Sequence, residues 1–286
     1  MLNQFQKELQ RQDVSENTVQ AYCRNARLFV EWVQATTGKE YDNFISEFDA
    51  REYKSYLLNV ERLKPTSVNA KLQAVQKFAN FLAGLGNQEA IRVRRQRVVA
   101  SKRVKILDKS TLYRCRRWAA NHASIRDAAI FEVLINTGLR VSELTDLCLD
   151  DIQMGERKGT LLVRNGKGGK SREVPLNNDA RTALRRYIDI RPVGVGSRVF
   201  YGQRGPLNRD AVYKVVSKIG KHGAGIDDLT PHVLRHTAFT RMAKNGVDLT
   251  TIADLAGHSN VSLTARYYVH TSQEDMEEAV EHIYDK

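Results

Sequence analysis

The segment LTPHVLRHT (229–237) places His232, Arg235 and His236 in the first two turns of a helix that Thr230 caps and Pro231 opens. A helix N-terminus already carries partial positive charge and unpaired N–H groups, so cations there are out of place unless an anion lies between them. His232 and Arg235, three apart, share one side of the helix. Leu234, Ala238 and Met242 mark its core side, which puts the two polar groups at the rim. A guanidinium can fork two phosphate oxygens, and an imidazole can move a proton near neutral pH. His236 either joins them or packs in the core.

Three further segments carry similar chemistry. In TGLRVSEL (137–144), Gly138 ends one helix and Arg140 stands where the next begins. Glu143, one turn on, can hold that arginine through a charge-assisted bond. In RNGKGGKSR (164–172), Lys167 rides a glycine-rich tip, where a lysine can approach a ligand and give up a proton. The tip joins two strands and lacks the P-loop pattern, so it is no nucleotide cradle. In LAGHSNVSLTARYYVH (255–270), Gly257 and His258 close a helix, and Tyr267 and Tyr268 follow. Paired tyrosines serve packing, or, beside concentrated positive charge, one becomes a nucleophile.

Each segment also has an ordinary reading: a structural histidine, a capped helix start with an ion pair, a solvated lysine. Two-metal chemistry needs convergent carboxylates. Asp150-Asp151 and Asp227-Asp228 are adjacent in sequence, so their side chains diverge, as in caps and solvated loops. No His/Cys set has metal-ligand spacing and no ATP motif occurs. Neither a metal nor a cofactor is therefore expected.

The charge suits a polyanion. The 286 residues carry a net charge of +12, unevenly spread. Residues 1–88 hold 11 bases and 10 acids, and 273–286 hold six acids and one lysine. The intervening 89–272 hold 33 bases against 17 acids, a field fit for nucleic acid. Seven of the fourteen residues in 92–105 are basic and none is acidic: Arg92, Arg94, Arg95, Arg97, Lys102, Arg103 and Lys105. This stretch lacks a helical stripe and reads as an interdomain linker running close to DNA phosphates, or as a merely solvated one.

The elements that must position these groups are mainly helical. Helical spacing runs through Val19, Tyr22, Ala26, Phe29 and Val33, and through Val68, Leu72, Val75, Phe78, Leu82 and Leu85. Shorter helices near 2–11 and 49–59 complete a four-helix unit over 1–88. After the linker (89–105), helices are expected over about 108–121, 124–136, 178–190, 208–221, 231–245 and 248–256. Residues 160–165 and 171–176 form an antiparallel hairpin around GKGG. Within the acidic tail, residues 273–284 suit a short helix. Cys23, Cys115 and Cys148 fit neither a disulfide framework nor a zinc site and read as small buried apolar groups. With no apolar signal core and no membrane-length apolar run, a cytoplasmic protein is expected.

Taken in order, Arg140, Lys167, His232, Arg235, His258 and Tyr267 resemble the tyrosine recombinase (phage integrase) family, Xer/Cre type. The motifs are TGLRVSEL, GKGGKSREVPL, TPHVLRHTAFTRM and AGHSNVSLTARYYVH. The resemblance covers about 106–270 with high specificity, and the N-terminal half more loosely. It implies a two-domain DNA clamp: a helical core-binding (SAM-like) domain, 1–88, and a catalytic domain, 106–286. Arg140 and Arg235 would clamp the scissile phosphate, with Glu143 supporting Arg140. Lys167 would protonate the leaving 5′ oxygen, and His232 and His258 would stabilise the transition state. Family spacing from the second histidine makes Tyr267 the nucleophile, with Tyr268 its neighbour. The link formed is a 3′-phosphotyrosine. Four protomers would act on two duplex DNA sites through a Holliday junction, the acidic tail docking on a neighbour, or folding back in cis. A bacterial, nucleoid-associated protein is implied. The length leaves no room for an arm-binding domain, which favours a resolvase-like system such as the cointegrate resolvase of a replicative transposon. The rivals are a type IB topoisomerase, a non-catalytic DNA-binding protein on the same fold, and a two-metal nuclease.

Overall fold

The computed structural model describes residues 1–12, 14–38, 40–98, 105–164 and 171–257. They form two compact units, Met1–Lys102 and Arg103–Lys286.

The first unit is four helices: α1 (Leu2–Arg11), α2 (Glu16–Thr37), α3 (Glu47–Asn59) and α4 (Pro65–Gly84). Local chemistry sets their starts. The Ser15 hydroxyl accepts from Thr18 N, and Pro65 pre-sets the first turn of α4. Ser46 and Asp49 form a reciprocal capping box, at 3.0 Å each way, so α3 begins two residues before the sequence expectation. The apolar faces close over Phe5, Val19, Phe29, Tyr53, Leu72, Phe78 and Leu82, with Phe29 edge-on to Tyr53 at 5.1 Å. Beyond α4, residues 91–98 carry no regular secondary structure.

The second unit contains α5 (Lys109–His122), α6 (Ile125–Thr137), α7 (Val141–Asp146), a 3-10 turn at 149–151, β1 (Ile152–Met154), β2 (Gly159–Val163), β3 (Arg172–Pro175), α8 (Asn178–Ile190), β4 (Tyr201–Gly202), β5 (Gly205–Pro206), α9 (Arg209–Ala224), α10 (Pro231–Lys244) and α11 (Leu249–Ala256). Its core is built around α6, whose Ile130, Phe131, Val133 and Leu134 are fully buried. α5, α8, α9 and α10 all pack against α6. The expected hairpin is present as β2–β3, with Leu161 opposite Val174. A third strand, β1, pairs with β2; its three residues are too few to show alternation. The unit is tied down at its start: Leu107 N donates to the Thr237 hydroxyl at 2.9 Å, and Lys105 pairs with Asp228. Of the cysteines, Cys115 is buried as expected, whereas Cys23 and Cys148 are half-buried. Among the described residues no helix is long and apolar enough to cross a membrane.

Candidate active site

The site gathers at the C-terminal end of α11. A helix end leaves its last carbonyls unpaired and partially negative, which attracts cations. The carbonyls of Leu255, Ala256 and Gly257 each accept from a different arginine. Arg172 Nε reaches Leu255 O at 2.9 Å, Arg235 Nη2 reaches Ala256 O at 2.6 Å, and Arg140 Nη2 reaches Gly257 O at 3.1 Å. Three guanidiniums from α10, β3 and the loop before α7 thus converge on one helix terminus. Their mutual repulsion is countered by that dipole and by one carboxylate.

The carboxylate is Glu143. It is buried and takes four hydrogen bonds: from Arg140 N and Arg140 Nη1 at 2.8 Å each, and from Arg172 Nη1 and Nη2 at 3.0 and 2.8 Å. Burial acts most strongly on its acidity, upward. The Arg172 bonds and charge, with those of Arg140, together outweigh it and hold the pKa below the usual carboxylate range. The support of Arg140 by Glu143 expected from the sequence is therefore present. Nothing in the sequence singles out Arg172. A base three residues beyond a glycine-rich tip looks solvent-facing, and its partners lie 29 and 83 residues away.

Arg235 differs from the sequence expectation in one respect. It is not at the rim but 5% exposed. Its Nη1 donates to Gly138 O at 2.6 Å, so the guanidinium bridges the C-terminal ends of α6 and α11. It also lies over the Phe239 ring, 4.9 Å from the centroid. Two carbonyls and an aromatic face make burial of the charge tolerable. Gly138, in the left-handed region at φ 64°, turns its carbonyl to Arg235. A Cβ there would meet Phe239 at 2.6 Å, so a side chain has no room.

His232 is exposed, and its Nε2 lies 2.8 Å from Nε2 of buried His236, the rings nearly perpendicular. Partial desolvation, then the Arg235 charge, lowers the His232 pKa below the ordinary imidazole value. His236 thus fixes the ring of His232 as well as taking a place in the core.

Lys167, His258, Tyr267, Tyr268 and the acidic tail 273–286 lie outside the described residues, as do Lys102 and Arg103. Gly257, next in sequence to His258, is bonded to Arg140 as above. Arg92, Arg94, Arg95 and Arg97 are exposed in the first unit. Lys105 is paired with Asp228. Asp151 caps as expected, accepting from Cys148 N at 2.9 Å at the 3-10 turn, but it is buried and pairs with Arg164 rather than lying in a solvated loop.

This geometry is a cationic nest with a neutral imidazole beside it, suited to a phosphodiester oxyanion. The phage integrase family model matches residues 105–275, and that of the phage integrase N-terminal SAM-like domain matches 1–84. The tyrosine recombinase XerC of Pelobacter propionicus is 34% identical over 284 residues, covering 96% of this chain and 90% of that one. The TnP I resolvase of Bacillus thuringiensis is 30% identical over 276 residues, covering 92% and 93%. The crystal structure of XerA recombinase aligns with a TM-score of 0.56 at 26% identity, over 98% of this chain and 97% of that one. The chain belongs to the phage integrase family. Within it, it is a site-specific tyrosine recombinase of the Xer/Cre type, an enzyme of DNA strand exchange.

Proposed function

We propose that the protein cuts and rejoins duplex DNA through Tyr267, in the resolution or integration of a mobile element. The Tyr267 phenol passes its proton to a site imidazole, His232 or His258, and its oxygen attacks the scissile phosphorus. The bond to the 5′ oxygen breaks, and Lys167 protonates that leaving group. A 3′-phosphotyrosyl link results. A 5′-hydroxyl from another strand reverses the step, first giving a Holliday junction and then the recombinant. Because the ester bond is exchanged and not hydrolysed, no external energy source enters. Arg140 and Arg235 neutralise the charge that develops on the non-bridging oxygens, His232 and His258 donate to it, and Glu143 holds Arg140. Losing one such preorganised donor typically costs on the order of 100- to 1,000-fold in rate.

The observation that carries this reading is the seating of Arg140 and Arg235 on successive carbonyls, Gly257 and Ala256, of one helix end. Two guanidiniums so fixed are ordered before substrate arrives. In the same reading, residues 1–88 and 106–286 are the two halves of a DNA clamp joined by the basic segment 89–105. Four protomers assemble on two sites in the bacterial cytoplasm, with the acidic tail exchanged between neighbours. The resemblance to a TnP I resolvase favours a transposon errand.

A suicide DNA substrate carrying the native site tests the chemistry. Tyr267→Phe is expected to bind DNA and form no covalent adduct, while Tyr268→Phe still forms it. Adduct persisting in Tyr267→Phe but absent in Tyr268→Phe would overturn the assignment. Strand exchange between two marked sites separates recombination from simple relaxation of supercoils.

A further inference from the structure

The basic segment beyond α4 is not loose where it leaves the first unit. Two side-chain amides on α4 hold its backbone. Gln76 donates from Nε2 to Ile91 O at 2.9 Å and accepts at Oε1 from Val93 N at 2.8 Å. Asn69 donates from Nδ2 to Gln96 O at 2.8 Å and accepts at Oδ1 from Gln96 N at 2.7 Å. Each amide thus does what a neighbouring strand would do, pairing one N–H and one C=O of an extended chain. Glu47 on α3 accepts from Arg92 N at 3.3 Å, and Val93 is buried in the bundle core.

The spacing fits. Asn69 and Gln76 are seven residues apart, about 10 Å along a helix. The extended chain from Val93 to Gln96 covers roughly the same distance. The segment runs antiparallel to α4 as a strap in a fixed register. Ile91, Val93 and Gln96 face the bundle, and Arg92, Arg94, Arg95 and Arg97 are exposed. None of these four guanidiniums forms an ion pair or hydrogen bond with a described residue. A solvated linker has no need of backbone clamps, and a row of guanidiniums paired with no described acid invites a polyanion.

We propose that Asn69 and Gln76 are positioning residues for DNA binding. They hold residues 91–96 in one register, so that the four arginines meet the phosphate backbone as a row already in place. This rests on the reading that the basic segment contacts DNA. Ordering a free chain costs binding free energy for every residue fixed, and the clamps meet that cost during folding.

The test uses the full chain and a random-sequence duplex, because phosphate contacts are independent of sequence. Asn69→Ala/Gln76→Ala is expected to bind roughly tenfold more weakly, about 1.4 kcal/mol, at every salt concentration. Its salt slope stays that of the parent, since no charge is removed. Binding equal to the parent's would overturn the proposal. The Ala quadruple at Arg92, Arg94, Arg95 and Arg97 is expected to flatten the slope by about 0.9 for each phosphate no longer neutralised. An unchanged slope there would instead overturn the DNA reading beneath the proposal. Hydrogen exchange on the unaltered, DNA-free protein needs no variant. The Val93 and Gln96 amides are expected to be protected, and exchange at unstructured-chain rates would also overturn it.

Discussion

Arg172 and Glu143 meet fork to fork: both guanidinium Nη atoms of the arginine lie within 3.0 Å of the two carboxylate oxygens. Glu143 shares its remaining capacity with Arg140, and Arg172 donates from its Nε to Leu255 O. The start of α7, the loop end of the β2–β3 hairpin and the end of α11 are thereby tied at one point. In the sequence these elements lead to Arg140, Lys167 and His258. One buried carboxylate registers three parts of the proposed machinery at once.

Removing Arg172 leaves Glu143 buried with half its partners. Breaking one side of a buried, hydrogen-bonded pair typically costs about 3–5 kcal/mol. Arg172→Ala is therefore expected to lower the unfolding free energy of the catalytic unit by a few kcal/mol. Arg172→Lys should recover only part, because an ammonium cannot reproduce the fork. Denaturant titration checks both; a full rescue by lysine would show that charge alone matters. The pH dependence has a definite sign. Glu143 is held below its unfolded pKa, so its contribution is present above the ordinary carboxylate value of about 4.3 and is lost as pH falls through the depressed folded value. In Arg172→Ala burial is less opposed and the folded pKa rises. The part of the acid destabilisation that Glu143 contributes should then be smaller than in the parent, because the folded value lies closer to the unfolded one.

Arg235 is buried against two carbonyls and one aromatic face, and each of them fixes where the guanidinium points. Arg235→Lys keeps a cation but cannot span Gly138 O and Ala256 O with a planar fork. Cleavage of a suicide substrate is expected to slow on the order of 100-fold or more, while duplex affinity falls far less. Equal losses in rate and affinity would mean that Arg235 only anchors DNA.

What could be read from the sequence was what local chemistry decides. Asp108, Ser124, Asn177, Asn208, Thr230 and Asp248 each cap the helix that follows them. Gly138, Gly225 and Gly257 each end one in the left-handed region. The strap at 91–96 escaped because its partners are amides on α4, 15 to 27 residues away, and an Asn or Gln in a helix advertises no partner. The depth of Arg235 escaped for a related reason. Helical spacing showed it beside His232. It did not show that the ends of α6 and α11, distant in sequence, would bring two carbonyls to it. Arg172 shares a strand face with buried Val174, but a four-residue strand is too short for that alternation to be read. Its partners come from α7 and α11, which no local pattern records.

Gly138 offers a test of that packing at a distance from the guanidinium itself. It has a left-handed φ of 64°, and an added Cβ would sit 2.6 Å from the Phe239 ring. Gly138→Ala should therefore cost about 1–2 kcal/mol for the backbone, and about 1–3 kcal/mol more for overpacking. Phe239 must shift, and it carries Arg235 on its face. Cleavage should fall with stability, and a Phe239→Leu change in the same chain should restore part of both. Thermal unfolding and single-turnover cleavage of the single and double variants measure the coupling. Strict additivity would show that the two sites do not touch in solution.

His232 supplies the last prediction. Its pKa is lowered by desolvation and then by the Arg235 charge, so at pH 7 the free protein holds it as a neutral imidazole. One of the two facing Nε2 atoms must then carry a proton and the other accept it, and protonating both rings would place two cations 2.8 Å apart. The folded value lies below the unfolded one. The His232 contribution to stability is therefore complete above about pH 6.5 and is lost as pH falls through the depressed value. An NMR titration of the ring protons should give a midpoint below the ordinary imidazole value in the free protein. Arg235→Gln removes the nearby charge, so the midpoint should move up toward that value. A phosphate diester in the nest would act in the same direction, drawing a proton onto the ring. A midpoint at or above the ordinary value in the free parent protein would mean that desolvation and the Arg235 charge do not act on His232 as its place in the nest requires.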